Sequence, residues 1–235
     1  MEDLGKQFWL SEQASKVFEI ANAEQKTLQP IIANIIEQSN PKTILDYGCG
    51  DSFVSRLINK TIEIGLYDIN MREAIKASEH LKDRKCTVYG ETEEIPKNYF
   101  EFIIFSFVLI CLSNKDEFRK ILKIFTHAKT PEGKVLIVTT HPCFRQYDFR
   151  PVYTEYSKGA PFNYFDELKP FEVFIRDDDR PAVSFTDFHW TLEDTINELI
   201  SAGLVIERIQ EIKDSTFDNI PANKFFSPFI IITCK

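Results

Sequence analysis

TILDYGCGDSF, residues 43–53, places β-favouring residues directly before an acid, Asp46, and two closely spaced glycines. The pattern predicts a strand that ends in a glycine-rich turn and leads into a helix with Asp51 as its N-cap. Gly48 and Gly50 permit a positive φ and let the backbone approach a ligand closely. In an open parallel sheet, ligands bind outside the carboxyl ends of the strands. A strand–helix turn without a ligand has the same spacing, so this turn alone leaves both interpretations open.

Strands and helices alternate along the chain around this turn. Helical spacing of apolar residues over 11–38 predicts two helices, with Pro30 in the first turn of the second. Strands are predicted at 43–47, 62–67, 86–89, 101–107 and 134–140, and helices at 52–59, 71–81 and 115–128. Such alternation gives right-handed crossovers and a parallel sheet that helices cover on both faces.

The pattern changes in residues 142–188, where twelve of 47 residues are aromatic and no long helix is predicted. Strands at 171–176 and 182–188 flank a polar turn and predict an additional antiparallel hairpin. A helix at 192–202 ended by Gly203, and antiparallel strands at 204–212 and 225–233, complete the sheet. We therefore predict one α/β domain with a mostly parallel seven-stranded sheet and an antiparallel last strand. The predicted domain spans residues 1–235 and includes an N-terminal helical cap (1–38) and an aromatic-rich lid (142–188).

The composition is that of an ordinary globular protein, with 43% hydrophobic and 27% charged residues. The net charge of −8 provides no general attraction for phosphate backbones or anionic lipid, so neither nucleic acid nor a membrane is a predicted partner. No apolar run reaches the roughly 18 residues of a membrane span, and the N-terminus lacks the features of a secretory signal. The five cysteines are scattered without a CxxC pair, which predicts a reduced, cytoplasmic protein without disulfides or a zinc site.

Acids also end the two strands that follow the glycine turn. The second strand ends in IGLYDIN, with Asp68 about 20 residues after the turn, and the third in VYGETEEIP, with Glu91. An acid at the second position can accept hydrogen bonds from both hydroxyls of a ribose. Because the carboxyl ends of parallel strands lie at one edge of a sheet, these acids predict a nucleoside-binding site at that edge.

Four segments in this order resemble the motifs of the class I S-adenosylmethionine-dependent methyltransferases of small-molecule type. ILDYGCGDS is similar to the glycine-rich first motif and GLYDIN to the acid-ended second motif. GETEEIPKNYFEFIIFSFVL and TPEGKVLIVTTHPCF resemble the two that follow, and the similarity covers roughly residues 28–140. The resemblance implies a Rossmann-like fold with S-adenosylmethionine as the cofactor.

The resemblance also implies which residues bind the methionine end of the cofactor. Asp46, Gly48 and Gly50 would hold the methionine part. Ser106 and Phe107 would line the floor below the sulfonium.

At the adenosine end, the same resemblance places Asp68 on the ribose hydroxyls and Ile69 on the adenine ring. Glu91 would face the adenine amino group, and the backbone N–H of Thr92 would face a ring nitrogen. Glu91 and Glu101 stand where the family usually has Asp. The longer Glu91 side chain can still reach the amino group.

Two histidines are candidates on the acceptor side. His141 follows the fifth strand, where its side chain would point into the acceptor pocket, and imidazole suits proton transfer near neutral pH. It is the candidate general base; the alternative is that it only fixes the loop before Pro142. His189 is the weaker candidate, because Thr191 and Asp194 predict a helix N-cap beside it, which favours a structural or pocket-lining role.

The aromatic lid contains few basic residues, which predicts a flat or apolar small molecule as the methyl acceptor. Phe8 and Trp9 are predicted to close the other side of the pocket. The predicted activity is methyl transfer from S-adenosylmethionine to a small aromatic or apolar metabolite, with O- or N-methylation favoured over C-methylation. We expect a monomer or homodimer and no metal.

Two alternatives to this activity remain. One is a non-catalytic binding module with the same fold, which stabilises a partner. The other is a nicotinamide dehydrogenase, but a third glycine is missing from the turn and Glu91 would then have no role.

Overall fold

The computed structural model describes residues 4–24, 28–149, 152–177, 180–213 and 225–235. Within them the helices are α1 Leu4–Trp9, α2 Gln13–Glu24, α3 Leu28–Ser39, α4 Phe53–Leu57, α5 Met71–His80, α6 Lys115–Ala128 and α7 Leu192–Ser201. The strands are β1 Thr43–Tyr47, β2 Glu63–Tyr67, β3 Cys86–Val88, β4 Phe100–Ser106, β5 Lys129–Thr140, β6 Val152–Thr154, β7 Pro170–Asp177, β8 Arg180–Phe188, β9 Ile206–Ile212 and β10 Phe229–Cys234. The predicted elements are present, with ends shifted by one or two residues except in β5 and β10.

The main sheet has seven strands in the order β3-β2-β1-β4-β5-β10-β9. The first five strands are parallel, and β10 pairs antiparallel with both β5 and β9. This arrangement confirms the predicted mostly parallel sheet with an antiparallel last strand. The chain runs outward from β1 to β3 and then returns to β4 on the other side of β1. That switch opens a crevice at the carboxyl ends of β1 and β4, where such sheets bind ligands.

Both faces of the sheet are buried, as the alternation of strands and helices predicts. Ile103 and Phe105 of β4 point into a core with α6 and α7, whereas Phe102 and Ile104 point into a core with α3 and α5. All four side chains are at most 1% exposed. Burial of each stabilises the fold by about 1.5–3 kcal/mol. The strand ends that carry the candidate site are therefore fixed by packing on both sides.

The lid contains a second, three-stranded sheet in the order β6-β7-β8. The predicted hairpin is its β7–β8 pair, whereas β6 and the short helix α1 are not predicted from the sequence. The N-terminal cap packs on this sheet: Val17 contacts Ile175 and Val183, and the Phe8 ring stacks on Phe185 with 5.1 Å between centroids. Cap and lid therefore form one apolar layer.

Two local predictions are wrong. Ser52, with φ 51°, is the N-cap of α4 in place of Asp51, whose carboxylate instead accepts a hydrogen bond from Arg56 at 2.7 Å. Strand β5 begins at Lys129 and not at the predicted residue 134, because α6 runs directly into it and residues 131–133 form a bulge within the strand. Residues 178–179 of the predicted turn 177–180 lie outside the described residues. The predicted strand 225–233 is shorter at its start, since β10 begins at Phe229. None of the described helices has the length and hydropathy of a membrane span.

Candidate active site

A cavity of about 210 Å³ lies at the carboxyl ends of β1 and β4, beneath the lid. One water needs about 10–15 Å³ on this scale, so the cavity has room for a small organic molecule. The glycine turn, the end of β4, the N-terminal cap and the lid all contribute to its wall. Trp9 is part of the wall and Phe8 is not among the residues that line it. Trp9 packs on Phe185 of the lid, so it lies with the lid and not on the opposite side as predicted.

The glycine turn follows β1 closely and is tied to β2. Gly48 has φ 72° and Gly50 has φ 49°, a region that side chains rarely allow. A Cβ atom on Gly48 would collide with Cγ2 of Val108, and one on Gly50 would lie 2.7 Å from the Phe18 ring. The N–H groups of Gly48 and Cys49 both donate to the carbonyl of Tyr67, at 2.7 and 3.0 Å. Both glycines are therefore required by backbone conformation and by packing.

Asp46 ends β1 inside the cavity wall and is 5% exposed. Its Oδ2 accepts hydrogen bonds from the hydroxyls of Ser52, at 2.6 Å, and Ser55, at 3.0 Å. Burial raises the pKa of Asp46 to about 7, although the two serines oppose the shift. Sequence reasoning missed both serines, whose signal is their place in the first turns after the glycines. Asp46 thus holds the turn to α4, and its contact with a cofactor stays a prediction.

Asp68 ends β2 and carries one backbone hydrogen bond on each carboxylate oxygen. Gly50 N–H donates to Oδ2 at 2.9 Å and Asn70 N–H donates to Oδ1 at 2.8 Å. Each oxygen keeps a further lone pair, which a ribose hydroxyl can use. Burial raises the pKa of Asp68 above its ordinary value. The neighbouring Ile69 is 48% exposed, which offers an apolar surface for a ring.

Glu91 and Thr92 follow β3, the strand beside β2, after which Asp68 comes. Burial, then Glu91, then Asp68 raise the pKa of Tyr67, so both carboxylates lie within electrostatic range of this phenol. Glu91 is exposed, and its N–H donates to Glu94 Oε2 at 3.4 Å. Asp68, Ile69, Glu91 and Thr92 are not among the residues that line the cavity. The donors and acceptors present fit S-adenosylmethionine, with the lone pairs of Asp68 for the ribose and the glycine turn at the cavity.

Ser106 and Phe107, at the end of β4, line the cavity, and their place below the sulfonium stays a prediction. Phe107 has φ 57°, which is uncommon for a residue other than glycine and occurs often at functional sites. Its N–H donates to the carbonyl of Val138 at 2.8 Å, and its ring packs edge-on against Phe229. The strand end therefore turns sharply under the cavity.

His141 lines the cavity, but both of its ring nitrogens have partners. Nδ1 accepts a hydrogen bond from the N–H of Cys143 at 3.2 Å, so Nε2 carries the proton and donates to Glu211 at 2.8 Å. The ring also stacks on Phe144, with 4.5 Å between centroids. Burial lowers the pKa of His141, although Glu211 opposes the shift. The imidazole fixes the loop before Pro142, and its role as a general base stays a prediction.

His189 is 1% exposed and lies behind the cavity wall, not in it. Its Nε2 donates to the carbonyl of Tyr164 at 2.8 Å, and its Nδ1 accepts from Arg145 Nε at 3.1 Å. Burial, then Arg145, lowers the pKa of His189 to about 4, so the ring is neutral at pH 7. The predicted N-cap beside it is present, with Thr191 Oγ1 accepting from Asp194 N–H at 3.0 Å. In this position His189 supports Arg145, and a catalytic role stays a prediction.

Sequence reasoning missed two buried charged residues in the cavity wall, Arg145 and Asp187. Arg145 is 5% exposed, donates to Thr140 Oγ1 at 2.9 Å, and its Cζ lies 4.7 Å from the centre of the Phe171 ring. Asp187 is 2% exposed and pairs across the lid sheet with the same Phe171. The available signal was an acid on the apolar face of β8, two residues after Phe185.

Burial gives these two charges unusual pKa values. It raises the pKa of Asp187 to about 7 in spite of Arg145, and lowers the pKa of Arg145 to about 10 in spite of Asp187. Among the described residues, no three His, Cys, Asp or Glu side chains come together as ligands for a metal ion.

No known family profile matches the chain. Over 201 residues it is 20% identical to N-demethylindolmycin N-methyltransferase of Streptomyces griseus, which covers 80% of this chain and 80% of that protein. An S-adenosylmethionine-dependent methyltransferase of Clostridium acetobutylicum superposes with a TM-score of 0.64 at 14% identity, over 95% of this chain and 97% of the other.

A second solved structure is the 1,6-didemethyltoxoflavin-N1-methyltransferase of Burkholderia thailandensis, with 1,6-didemethyltoxoflavin and S-adenosylhomocysteine bound. It has a TM-score of 0.61 at 11% identity and covers 99% of this chain and 86% of its own. The strand order, the last antiparallel strand and these superpositions confirm the fold that the sequence motifs predict. The chain has the fold of the S-adenosylmethionine-dependent methyltransferases.

Proposed function

We propose that the protein transfers a methyl group from S-adenosylmethionine to a small, flat aromatic or apolar molecule. The observation that carries the proposal is the continuity of one cavity from the glycine turn and the floor of β4 to the aromatic inner face of the lid. A cofactor held at the turn and an acceptor held at the lid would share this enclosed space. Enclosure and alignment are the main requirements of an in-line displacement.

Each part of the wall has a distinct task in this proposal. The bound cofactor supplies a methyl group on a positively charged sulfur. Asp68 accepts hydrogen bonds from the ribose hydroxyls, and the exposed side of Ile69 packs on the adenine. Gly48 and Gly50 keep side chains away from the methionine end, and the Phe107 turn closes the floor. The residues thus hold and orient both reactants and exclude water.

The lid supports a flat acceptor. Phe171, Val173 and Phe185 lie on the inner face of the lid sheet and line the cavity, and Trp9 packs edge-on against Phe185 with 5.2 Å between centroids. Two proteins similar to this chain are named as methyltransferases acting on nitrogen. Their names favour nitrogen as the atom that accepts the methyl group. Oxygen is the second choice in the proposal, ahead of carbon.

Calorimetry with S-adenosylmethionine and S-adenosylhomocysteine tests the cofactor. We expect both to bind the wild-type protein, and Asp68→Ala to weaken binding by about 100-fold or more, because a charged hydrogen-bond acceptor and an anchor of the turn are lost together. Asp83→Ala is the matched control, since Asp83 pairs with Lys60 on the surface away from the cavity. Absence of binding at millimolar ligand, or binding of NAD instead, would overturn the proposal.

Turnover separates the enzyme from a non-catalytic binding module. Pools of small aromatic metabolites are incubated with protein and S-adenosylmethionine, and formation of S-adenosylhomocysteine is measured. An enzyme gives at least one pool with formation above the level of Asp68→Ala. A module binds the cofactor and gives none.

A further inference from the structure

We propose that Asp187 binds the methyl acceptor by accepting a hydrogen bond from an N–H or O–H group of that molecule. The inference rests on the proposed function and deepens it. It defines the acceptor class as flat, uncharged molecules that carry such a donor. Asp187 would then touch the acceptor directly, at the lid end of the cavity.

Asp187 is buried without the partner that a buried carboxylate needs. Its side chain lines the cavity and is 2% exposed, and no described residue donates a hydrogen bond to its Oδ1. A buried polar atom without a partner costs about 1–3 kcal/mol, and a charged one costs more. Most such atoms in folded proteins have a partner, and an exception in a cavity wall indicates a ligand.

Arg145 and the buried side chains bonded to it have, by contrast, hydrogen-bond partners within the protein. Arg145 donates to His189 and Thr140, and His189 donates to the carbonyl of Tyr164. The hydroxyl of Thr154 donates to the carbonyl of Arg145 at 2.7 Å. The protein therefore uses its own donors to fix Arg145 and leaves the carboxylate of Asp187 to accept from elsewhere.

The register of the lid sheet places Asp187 beside a surface for a flat ring. Asp187 pairs with Phe171, and Phe185 pairs with Val173, so the acid and these apolar side chains share the face that lines the cavity. A ring that lies on this face presents its edge to Asp187. An edge N–H or O–H is then the group that the carboxylate can accept from.

Burial around Asp187 disfavours ionised acceptors. Arg145 opposes the rise in the pKa of Asp187, so the two side chains carry opposite charges that largely offset each other at this end of the cavity. A further charge on the acceptor would leave water without a counter-charge, which is costly. The other titratable groups of the cavity wall are Asp46, Cys49, Asp51, His141, Tyr147 and Tyr153.

Two flat probes of nearly the same shape isolate the hydrogen bond: indole, which has one N–H, and benzofuran, which has oxygen in its place. Dissociation constants are measured by NMR titration with S-adenosylhomocysteine in excess, so that the probes cannot occupy the cofactor end. At pH 8.5 we expect indole to bind about tenfold tighter or more, the value of a hydrogen bond to a charged acceptor. At pH 5.5, below the pKa of about 7 that burial gives Asp187, the preference falls to less than threefold.

Asp187→Asn keeps only a neutral acceptor, so it should reduce the preference at pH 8.5 to less than threefold and make it independent of pH, whereas Glu172→Gln, on the exposed face of β7, should preserve it. The substitution also separates Asp187 from Asp46, whose pKa burial raises to about 7 as well. Equal binding of the probes to the wild type at pH 8.5, no binding of either, or a preference kept by Asp187→Asn would overturn the inference. If Asp187→Asn does not fold, Asp46→Asn decides: a preference that keeps its pH dependence in that variant belongs to Asp187, and one that loses it overturns the inference.

Failure of this inference is distinct from failure of the proposed function. S-adenosylhomocysteine binding is measured in the same samples and does not depend on Asp187. Binding of S-adenosylhomocysteine without discrimination between the probes overturns only the role of Asp187. Discrimination between the probes without S-adenosylhomocysteine binding overturns the proposed cofactor.

Discussion

The two ends of the cavity differ in where their buried polar groups find hydrogen-bond partners. At the glycine turn, polar groups are satisfied over a short stretch of chain, since Asp46 takes hydroxyls from Ser52 and Ser55 and Asp68 takes the N–H of Gly50. At the lid, Arg145, His189 and Asp187 come from segments about 40 residues apart. The first end is built by backbone that follows two strands. The second end depends on tertiary packing, so its chemistry can change without changing the fold.

The two ends also store unfavourable energy in different forms. The turn end contains backbone in the left-handed region at Gly48, Gly50, Ser52 and Phe107. The lid end contains buried ionisable side chains with shifted pKa values in ordinary backbone. Steric substitutions should therefore damage the first end most, whereas changes of pH should act on both ends, because burial raises the pKa of Asp46 at the turn as well as that of Asp187 at the lid.

Gly48→Ala should have the largest effect on stability. The left-handed conformation costs a side chain about 1–2 kcal/mol, and the collision of Cβ with Val108 adds about 1–3 kcal/mol of overpacking. We expect the free energy of unfolding to fall by roughly 2–5 kcal/mol, measured by urea denaturation, together with loss of cofactor binding.

Gly203→Ala is the matched control. Gly203 has φ 81°, and no atom lies within 4 Å of an added Cβ. It should therefore lose only the conformational part, about 1–2 kcal/mol. Equal losses in the two variants would show that the collision with Val108 relaxes without cost and that the turn is less tightly packed than its geometry indicates.

The sequence predicts the turn end well because its signals are local. A strand, two glycines and an acid at the next strand end lie within about 25 residues, and their order fixes their relative positions once the sheet is parallel. Ser52 and Ser55 are not predicted as partners of Asp46, because serine is common after a turn and only their burial indicates the contact.

The lid end could not be predicted in the same way. The alternation in β7 and β8 predicts a hairpin, but it does not say that Arg145 packs over Phe171 or that Asp187 faces inward. Those positions depend on the path of the chain between β5 and β7 and on the N-terminal cap. His141 was correctly placed at the end of β5, yet one partner of its ring, Glu211, is set by the pairing of β10 with both β5 and β9.

Asp187→Asn should give a smaller, pH-dependent gain in stability. The pKa of Asp187 rises from 3.8 to about 7 on folding, so the folded state keeps its proton while the unfolded state loses it. The stability of the wild type therefore falls as pH rises from about 4 to about 7. Three pH units at about 1.4 kcal/mol each give an upper limit of about 4 kcal/mol.

The measurement is the difference in unfolding free energy between Asp187→Asn and the wild type at pH 5, 6, 7 and 8. The gain should be smallest at pH 5 and largest at pH 8. Asp83→Asn should show no such gain, because Lys60 lowers the pKa of that exposed acid. A constant difference over this range would show that Asp187 does not titrate near pH 7.

The smallest effect is expected for His141→Gln, and it decides between two roles for this residue. A general base contributes about 10²–10⁴-fold to turnover. In the structure the ring accepts from Cys143 and donates to Glu211, and burial lowers its pKa, so it holds the loop at the mouth of the cavity. We therefore expect turnover to slow by less than tenfold, with a rise in the KM for an acceptor found in the turnover screen. Glutamine keeps an acceptor and a donor, whereas His141→Leu keeps neither and should raise KM further and lower stability. If turnover instead slows by about 10²-fold or more in both variants, and the acidic limb of the pH profile is lost, His141 is restored as the base.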